Sequence, residues 1–419
     1  MPNYFFDISD LRNFLKKNDT VSGIQRATRE IIPQVADELK KNDVFLTYFD
    51  SNTARFELLP KKTFELLVKS DIVELKSALR IKLSIYETVK GRVRNAEKSL
   101  ESAISSCDVI CGLGLTVSDP RSYAILSRLR SSKDIRIYLM IHDMIPLILP
   151  AASGIKPNIF FDYLVAATDY CEGFLANSKH TARDLKSFLD QVSSNTPINI
   201  TPLACESLTG RAFLKTSNPE TQSTHEQAGS ASGINRKPKE PLSSPYVLCV
   251  GTMEARKNCW RIAQAWLLLA RDPEVELPLL IFAGKRGWAN GDFFSAYEAT
   301  GGWGGLVQII EQPSDDTLID LYRHCEFTIT ASLYEGWGLP VGESLSYGKT
   351  ALVSEVASLP EVGQDLVEYC DPHSIHSIAK GAKRLLCNTE LKAKLEAKIA
   401  KSTLRSWSDV GKDIAAAIR

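Results

Sequence analysis

The chain has 419 residues, 44% of them hydrophobic and 24% charged, with 50 basic residues against 50 acidic ones. That length is too great for one ordinary core and leads to two domains, and the composition excludes a fibre or a wholly disordered chain. The balanced charge leaves no electrostatic footprint for nucleic acid.

The N-terminus, MPNYFFDISDLRNF, has no basic segment running into an apolar one, so no signal peptide is expected. No run of about 18 or more apolar residues is present to cross a membrane. Ile24, Ala27, Ile31, Ile32, Val35 and Leu39 recur at helical spacing, which predicts a helix opening just after Gly23. Short apolar runs at Val44–Phe49, Val109–Leu113, Ile135–Ile141, Gly173–Ala176 and Ile198–Leu203 predict strands. Strands alternating with helical stretches imply a mostly parallel sheet covered on both faces.

From Leu75 to Leu100, apolar residues recur every three or four positions while Lys76, Arg80, Lys82, Lys90, Arg92, Arg94 and Lys98 dominate the other face. Such a helix either packs on its own domain or lays a basic face on anionic lipid. Gly112-Leu113-Gly114 lacks the rest of a dinucleotide fingerprint, which argues against a nicotinamide cofactor. His142, in Ile141-His142-Asp143, closes a strand at an edge where ligands bind, and fits a structural histidine as well as a catalytic one. Asn177-Ser178-Lys179-His180-Thr181 reads first as a helix cap. The cysteines at 107, 111, 171, 205, 249, 259, 325, 370 and 387 form no CxxC pair, and several sit in apolar runs as small core residues. That usage favours a reducing compartment.

Between 205 and 245 the chain turns polar and rich in Ser, Asn, Gly and Pro, which predicts a linker or surface insertion. A second α/β unit follows: YVLCVG, a helix over 258–271, LPLLIFAG, LVQII, a helix over 316–324, FTITAS, a helix from about 341 and TALVSE. The expected domains are therefore 1–204, a linker 205–245, 246–400, and a helical tail 401–419.

Two motifs carry chemistry. In Val250-Gly251-Thr252-Met253-Glu254-Ala255-Arg256-Lys257-Asn258, a strand ends in glycine and two cations precede a helix. Ligands of open parallel sheets bind at the carboxyl ends of strands, and Arg and Lys suit a diphosphate. Taken alone, the pair fits an exposed turn equally well. In Ser332-Leu333-Tyr334-Glu335-Gly336-Trp337-Gly338-Leu339-Pro340-Val341-Gly342-Glu343, a strand runs through a glycine-bearing loop into a helix. Gly338, Leu339, Pro340 and Val341 mark a helix start, whose free amides, from residues other than the proline, suit an anion. Glu335 in the loop, and Glu343 in what reads as the first helical turn, suit sugar hydroxyls; Glu343 also fits simple helix-dipole stabilisation. Asp315-Asp316 reads as a helix N-cap. His373 and His376 lack a third metal ligand, and Gly301-Gly302-Trp303-Gly304-Gly305 reads as a loop.

With its E-x7-E string, the preceding VGTMEARKN and the following ASLPEVGQDLVEYCDP, the chain resembles family 4 of the retaining glycosyltransferases. The resemblance is strongest over roughly 246–372 and implies an α/β fold of the GT-B type: two facing Rossmann-like domains with parallel sheets and a C-terminal helix. It implies that Arg256 and Lys257 contact the donor diphosphate, Glu335 the transferred sugar and Glu343 the ribose, and that Gly23 belongs to a glycine loop near the donor phosphates. His142 takes the family's HD position. Many members carry Arg where Thr252 stands, and Gln364 interrupts the family's glycine pair. The implied reaction needs no metal and no cofactor beyond a nucleotide-sugar co-substrate. The GTMEARKN and HDMIPL segments are most similar to bacterial mannosyltransferases of O-antigen or capsule assembly, so GDP-mannose is the expected donor and a glycan or lipid-linked oligosaccharide the expected acceptor. The expected location is cytoplasmic, with 75–100 as a peripheral contact with anionic membrane. A rhamnose or other hexose donor is the alternative, and a catalytically silent partner subunit a further one. A dinucleotide-dependent oxidoreductase fails for want of its glycine fingerprint.

Overall fold

In the second half of the chain, alternate residues of each strand enter different cores. β8 (Tyr246–Val250) sends Val247 and Cys249 into a cluster with Trp266, Phe282 and Phe293, and Tyr246 and Leu248 into another with Leu321 and Tyr322. That period of two, apolar on both faces, marks a parallel strand covered on both sides. The computed structural model describes residues 2–18, 21, 23–40, 43–68, 99–115, 119–206 and 244–419. The basic amphipathic segment expected over 75–100 lies outside the described residues up to 98, as does 207–243 of the expected linker.

Two compact units divide the chain: Met1–Ala204 with Tyr334–Leu339 and Arg405–Arg419, and Cys205–Leu333 with Pro340–Leu404. Among the described residues the first holds seven strands: β1 (Tyr4–Asp7), β2 (Val44–Asp50), β3 (Arg55–Leu58), β4 (Val109–Gly112), β5 (Arg136–Ile141), β6 (Gly173–Ala176) and β7 (Ile198–Ile200). Their order is β3-β2-β1-β4-β5-β6-β7, parallel except for the antiparallel edge pair β2–β3. The second unit has β8, β9 (Leu279–Gly284), β10 (Val307–Glu311), β11 (Thr328–Thr330), β12 (Ala351–Ser354) and β13 (Glu368–Cys370). All are parallel, in the order β10-β9-β8-β11-β12-β13. Each sheet therefore reverses strand order once, between β1 and β4 in the first and between β8 and β11 in the second. The architecture is the α/β, Rossmann-like pair expected of a GT-B chain.

Several local expectations need correction. Helix Gly23–Glu38 opens at Gly23 itself, whose φ of 51° suits a residue without a Cβ. Ser314, not Asp315, caps the helix Asp315–His324, accepting from Thr317 N at 3.1 Å. Gly301–Gly305 is a tight left-handed coil capped by Thr300 rather than an open loop. The expected helical tail is present: it follows the helix Thr389–Lys401, and its own helix Trp407–Ile418 packs within the first unit on Gly23–Glu38. Gly411 permits that approach, since a Cβ there would meet Gln34 Cβ at 2.5 Å. All nine cysteines are free thiols, six of them buried.

Candidate active site

In an open parallel sheet, ligands bind beyond the carboxyl ends of the strands flanking the reversal of order. In the second unit those strands are β8 and β11. Leaving β8, the chain turns at Gly251 (φ 134°) and makes one helical turn at Ala255–Lys257 before Asn258 (φ 61°) opens the helix Cys259–Leu269. Asparagine tolerates that left-handed backbone better than most residues. Its Nδ2 donates to Ala331 O at 2.9 Å and Pro372 O at 2.7 Å, pinning the turn to the ends of β11 and β13. Leu333 N donates to Arg256 O at 2.8 Å, a further tie between the two motifs.

The two cations differ in what they touch. Arg256 Nη2 lies 2.6 Å from Glu254 Oε1, with the side chains 17% and 4% exposed. Its guanidinium is thus committed first to a buried carboxylate of its own turn. Lys257 runs along Gly251: an ideal Cβ on that glycine would stand 3.5 Å from Lys257 Cε and 3.7 Å from Nζ. The same lysine lines a cavity with Gly251, Thr252, Thr330 and Ser332. Ser332 Oγ is buried with no hydrogen-bond partner among the described residues, and an orphan hydroxyl beside an ammonium suits an incoming anion.

Gly338 (φ 111°) swings the chain into the helix Leu339–Ser346. Leu339 and Pro340 are half-buried, and Val341 is wholly buried in the core, so only its backbone can serve a ligand. Glu343 lies in the second turn of this helix, not the first, and is 5% exposed. Tyr322 Oη donates to Glu343 Oε2 at 2.7 Å, and the Tyr322 ring stacks on Tyr347 at 5.3 Å. The phenol therefore fixes the direction of the carboxylate. Gln364, which interrupts the glycine pair that the family resemblance implies, takes a φ of 47°, and its carbonyl accepts from Tyr369 Oη at 2.8 Å.

In the first unit the reversal lies between β1 and β4. Asp10, just past β1, accepts from Gln25 Nε2 at 2.8 Å and is approached by the Leu115 amide beyond β4. Burial, set against those two hydrogen bonds and reinforced by Asp7, pushes its carboxyl up to about 6. Gly114 packs on it, since a Cβ there would meet Asp10 Cβ at 2.7 Å. His142 closes β5 and is 6% exposed, with Nε2 2.7 Å from Leu113 O. Burial lowers its pKa to about 4 against the opposing effect of that hydrogen bond. It is a neutral imidazole at physiological pH, with Nε2 the donor and Nδ1 the acceptor, so it can orient a hydroxyl but does not carry positive charge.

Tyr334–Leu339 belongs to the first unit, and Glu335 with it, 5% exposed. Gly336 sits on the β5 end, where a Cβ would lie 1.8 Å from His142 O. Thr181 Oγ1 donates to Gly336 O at 3.3 Å, and Trp337 Nε1 donates to Ala204 O at 3.1 Å. Ser178 caps the helix Lys179–Gln191 as expected, accepting from Thr181 N at 2.9 Å.

Of the residues singled out in sequence, Arg256 and Lys257 stand on one turn with Glu343 in the same unit, while Glu335 and His142 share the first unit with Gly23. Sequence reading missed the roles of Asp10, Asn258, Tyr322 and Ser332. Only Asp10 left a usable signal, an acidic residue just after an apolar run that was not read as a strand. Among the described residues no group of three or more His, Cys, Asp or Glu could hold a metal, and no helix is long and apolar enough to cross a membrane.

Residues 232–402 match the family described as glycosyl transferases group 1. The chain is 35% identical over 134 residues to the O-antigen chain mannosyltransferase B of Escherichia coli, covering 32% of this chain and 35% of that protein. It is 24% identical over 324 residues to the serotype-specific mannosyltransferase WbdA of Escherichia coli, covering 76% of this chain and 38% of that protein. It thus spans little more than a third of the length of these relatives. Among solved structures, sucrose-phosphate synthase from Thermosynechococcus elongatus superposes with a TM-score of 0.60 at 13% identity, covering 100% of this chain and 98% of that one. HepE of Anabaena, in complex with UDP and glucose, gives 0.58 at 12% identity over 100% and 99% of the two chains. At such identities the likeness is one of fold.

Proposed function

This chain carries a glycosyl transferases group 1 domain over residues 232–402, and we propose that it transfers mannose from GDP-mannose, with retention of configuration, to a glycan or lipid-linked acceptor in surface-polysaccharide synthesis. The observation that carries the reading is the β8–β11 reversal of the second unit, where Lys257, Gly251 and the orphan Ser332 hydroxyl line one cavity. A diphosphate leaving group gains negative charge as the glycosidic bond breaks, and a fixed cation with amide and hydroxyl donors stabilises it most at that moment. Lys257 is the main counter-charge, and Arg256, held by Glu254, the second. Glu343, aimed by Tyr322, receives the ribose hydroxyls. Glu335 orients the hexose, and neutral His142 positions a hydroxyl rather than supplying charge.

In this reaction the C1–O bond to the diphosphate breaks and the acceptor oxygen bonds C1 on the same face. The departing phosphate oxygen takes the acceptor proton, so no protein nucleophile and no metal is needed. The likeness to mannosyltransferases supports the choice of donor. A rhamnose or other hexose donor on a different nucleotide is the alternative, and a silent partner subunit a third reading. A thermal-shift panel of nucleoside diphosphates and their sugars tests all three. A selective rise with GDP and GDP-mannose is expected. A rise with UDP or dTDP compounds instead would overturn the donor, and no rise with any, together with no donor hydrolysis, would favour the silent subunit.

A further inference from the structure

Tyr334–Leu339 follows β11 in sequence but is built into the first unit, and one side chain does much of the holding. Tyr334 is buried, and its hydroxyl donates to Asp184 on the helix Lys179–Gln191. His180, one turn earlier, places Nε2 3.3 Å from Asp184 Oδ2 and sets its ring edge-on to Tyr334 at 5.4 Å between centroids. Met144 and Asp143, just past β5, stand beside the same phenol. Burial would raise the Asp184 carboxyl, but the His180 and Tyr334 donors outweigh it and hold the group below the usual carboxylate range. Burial and the Asp184 charge push the Tyr334 phenol above its ordinary value, so it remains a donor at any working pH.

We propose that Asp184 is a positioning residue that acts through Tyr334 to fix the backbone carrying Glu335. Only two soft dihedrals separate adjacent residues, so the placement of Tyr334 passes almost directly to Glu335. Thr181, from the same helix, bonds Gly336 O on the other side of Glu335. The Glu335 backbone is thus bracketed by two ties to one helix. A shift of about 1 Å in a substrate-orienting group costs up to roughly a hundredfold in rate. The inference rests on Glu335 as the sugar-orienting group, but the anchoring itself can be measured without turnover.

Two readouts on the full chain test it. The first is amide hydrogen exchange over 333–339 in wild type, Tyr334→Phe, Asp184→Ala and Asp184→Asn, with circular dichroism to show that each is folded. Tyr334→Phe and Asp184→Ala should speed exchange in this segment about tenfold or more, the double variant no further, and Asp184→Asn, which keeps an acceptor oxygen, much less. Unchanged exchange in both Tyr334→Phe and Asp184→Ala would overturn the proposal. The second is transfer from GDP-mannose to an octyl α-mannoside. The expected pattern is a kcat lowered about tenfold in both variants, unchanged donor KM, and largely restored rate in Asp184→Asn. Exchange that rises while kcat stays at the wild-type value would also overturn it. A wild-type chain that neither binds GDP nor transfers would instead refute the donor assignment, and exchange would still decide the anchor.

Discussion

At the strand reversal of the second unit, a lysine ammonium stands along Gly251 and lines one cavity with Ser332, whose hydroxyl has no hydrogen-bond partner among the described residues. At the reversal of the first, a carboxylate, Asp10, is held between Gln25 and the Leu115 amide with Asp7 close by. The same topological device therefore presents opposite charge in the two units. A cationic edge suits the diphosphate of a donor. An edge bearing a carboxylate half-withdrawn from water repels phosphate and suits hydroxyl donors, as on a glycan. We read the difference as a division of labour, with charge neutralisation in the second unit and orientation of hydroxyls in the first.

The sharpest way to break that contrast is Lys257→Ala. Loss of a counter-charge to a leaving group costs about a hundredfold to a thousandfold in rate, so donor kcat/KM should fall by that amount with the melting temperature unchanged. Arg256→Ala should do something different. It removes the ion-pair partner at Glu254 Oε1, on a buried carboxylate, and the broken pair should cost about 3–5 kcal/mol of stability, read by urea unfolding. Glu254→Gln added to it should restore part of that loss, which separates the structural share of Arg256 from its share in the donor site.

The opposite end of the comparison is sharpened by Asp10→Asn. The folded carboxyl titrates near 6 against 3.8 for the ordinary group, so its ionisation opposes folding. This contribution to stability is full below about pH 4 and is lost as the pH rises through about 6. With each pKa unit worth about 1.4 kcal/mol and some solvent screening, Asn should raise stability by roughly 1–3 kcal/mol at pH 8 and by little at pH 4. The same variant should slow transfer without weakening GDP binding. A stabilising substitution that impairs transfer would mark Asp10 as kept for function. The smallest effect is expected from Tyr322→Phe, which frees one oxygen of Glu343 and should weaken GDP about threefold to tenfold by calorimetry.

Much of the scaffold was legible because apolar runs bounded by turn residues stand out, and most of β2 and β4–β12 fall on such runs. β1, β3 and β13 were not read as strands: β3 pairs as an antiparallel edge with one exposed residue, and β13 has three residues of which only Cys370 is buried. At the site, Arg256, Lys257, Glu335 and Glu343 were visible because each belongs to a local string. Their supports were not. Asn258 reaches a carbonyl 73 residues away and Tyr334 a carboxylate 150 residues away, and no local periodicity encodes such pairs. The pairing of Arg256 with Glu254 was hidden differently: the residues are neighbours in sequence, but only burial turns their proximity into a commitment.

The most direct test of the charge contrast is calorimetric titration of GDP into wild type, Lys257→Ala and Asp10→Asn. The expected result is a selective loss: affinity down about a hundredfold in Lys257→Ala, and within about twofold of wild type in Asp10→Asn. Equal weakening in both variants, or undiminished binding in Lys257→Ala, would contradict it.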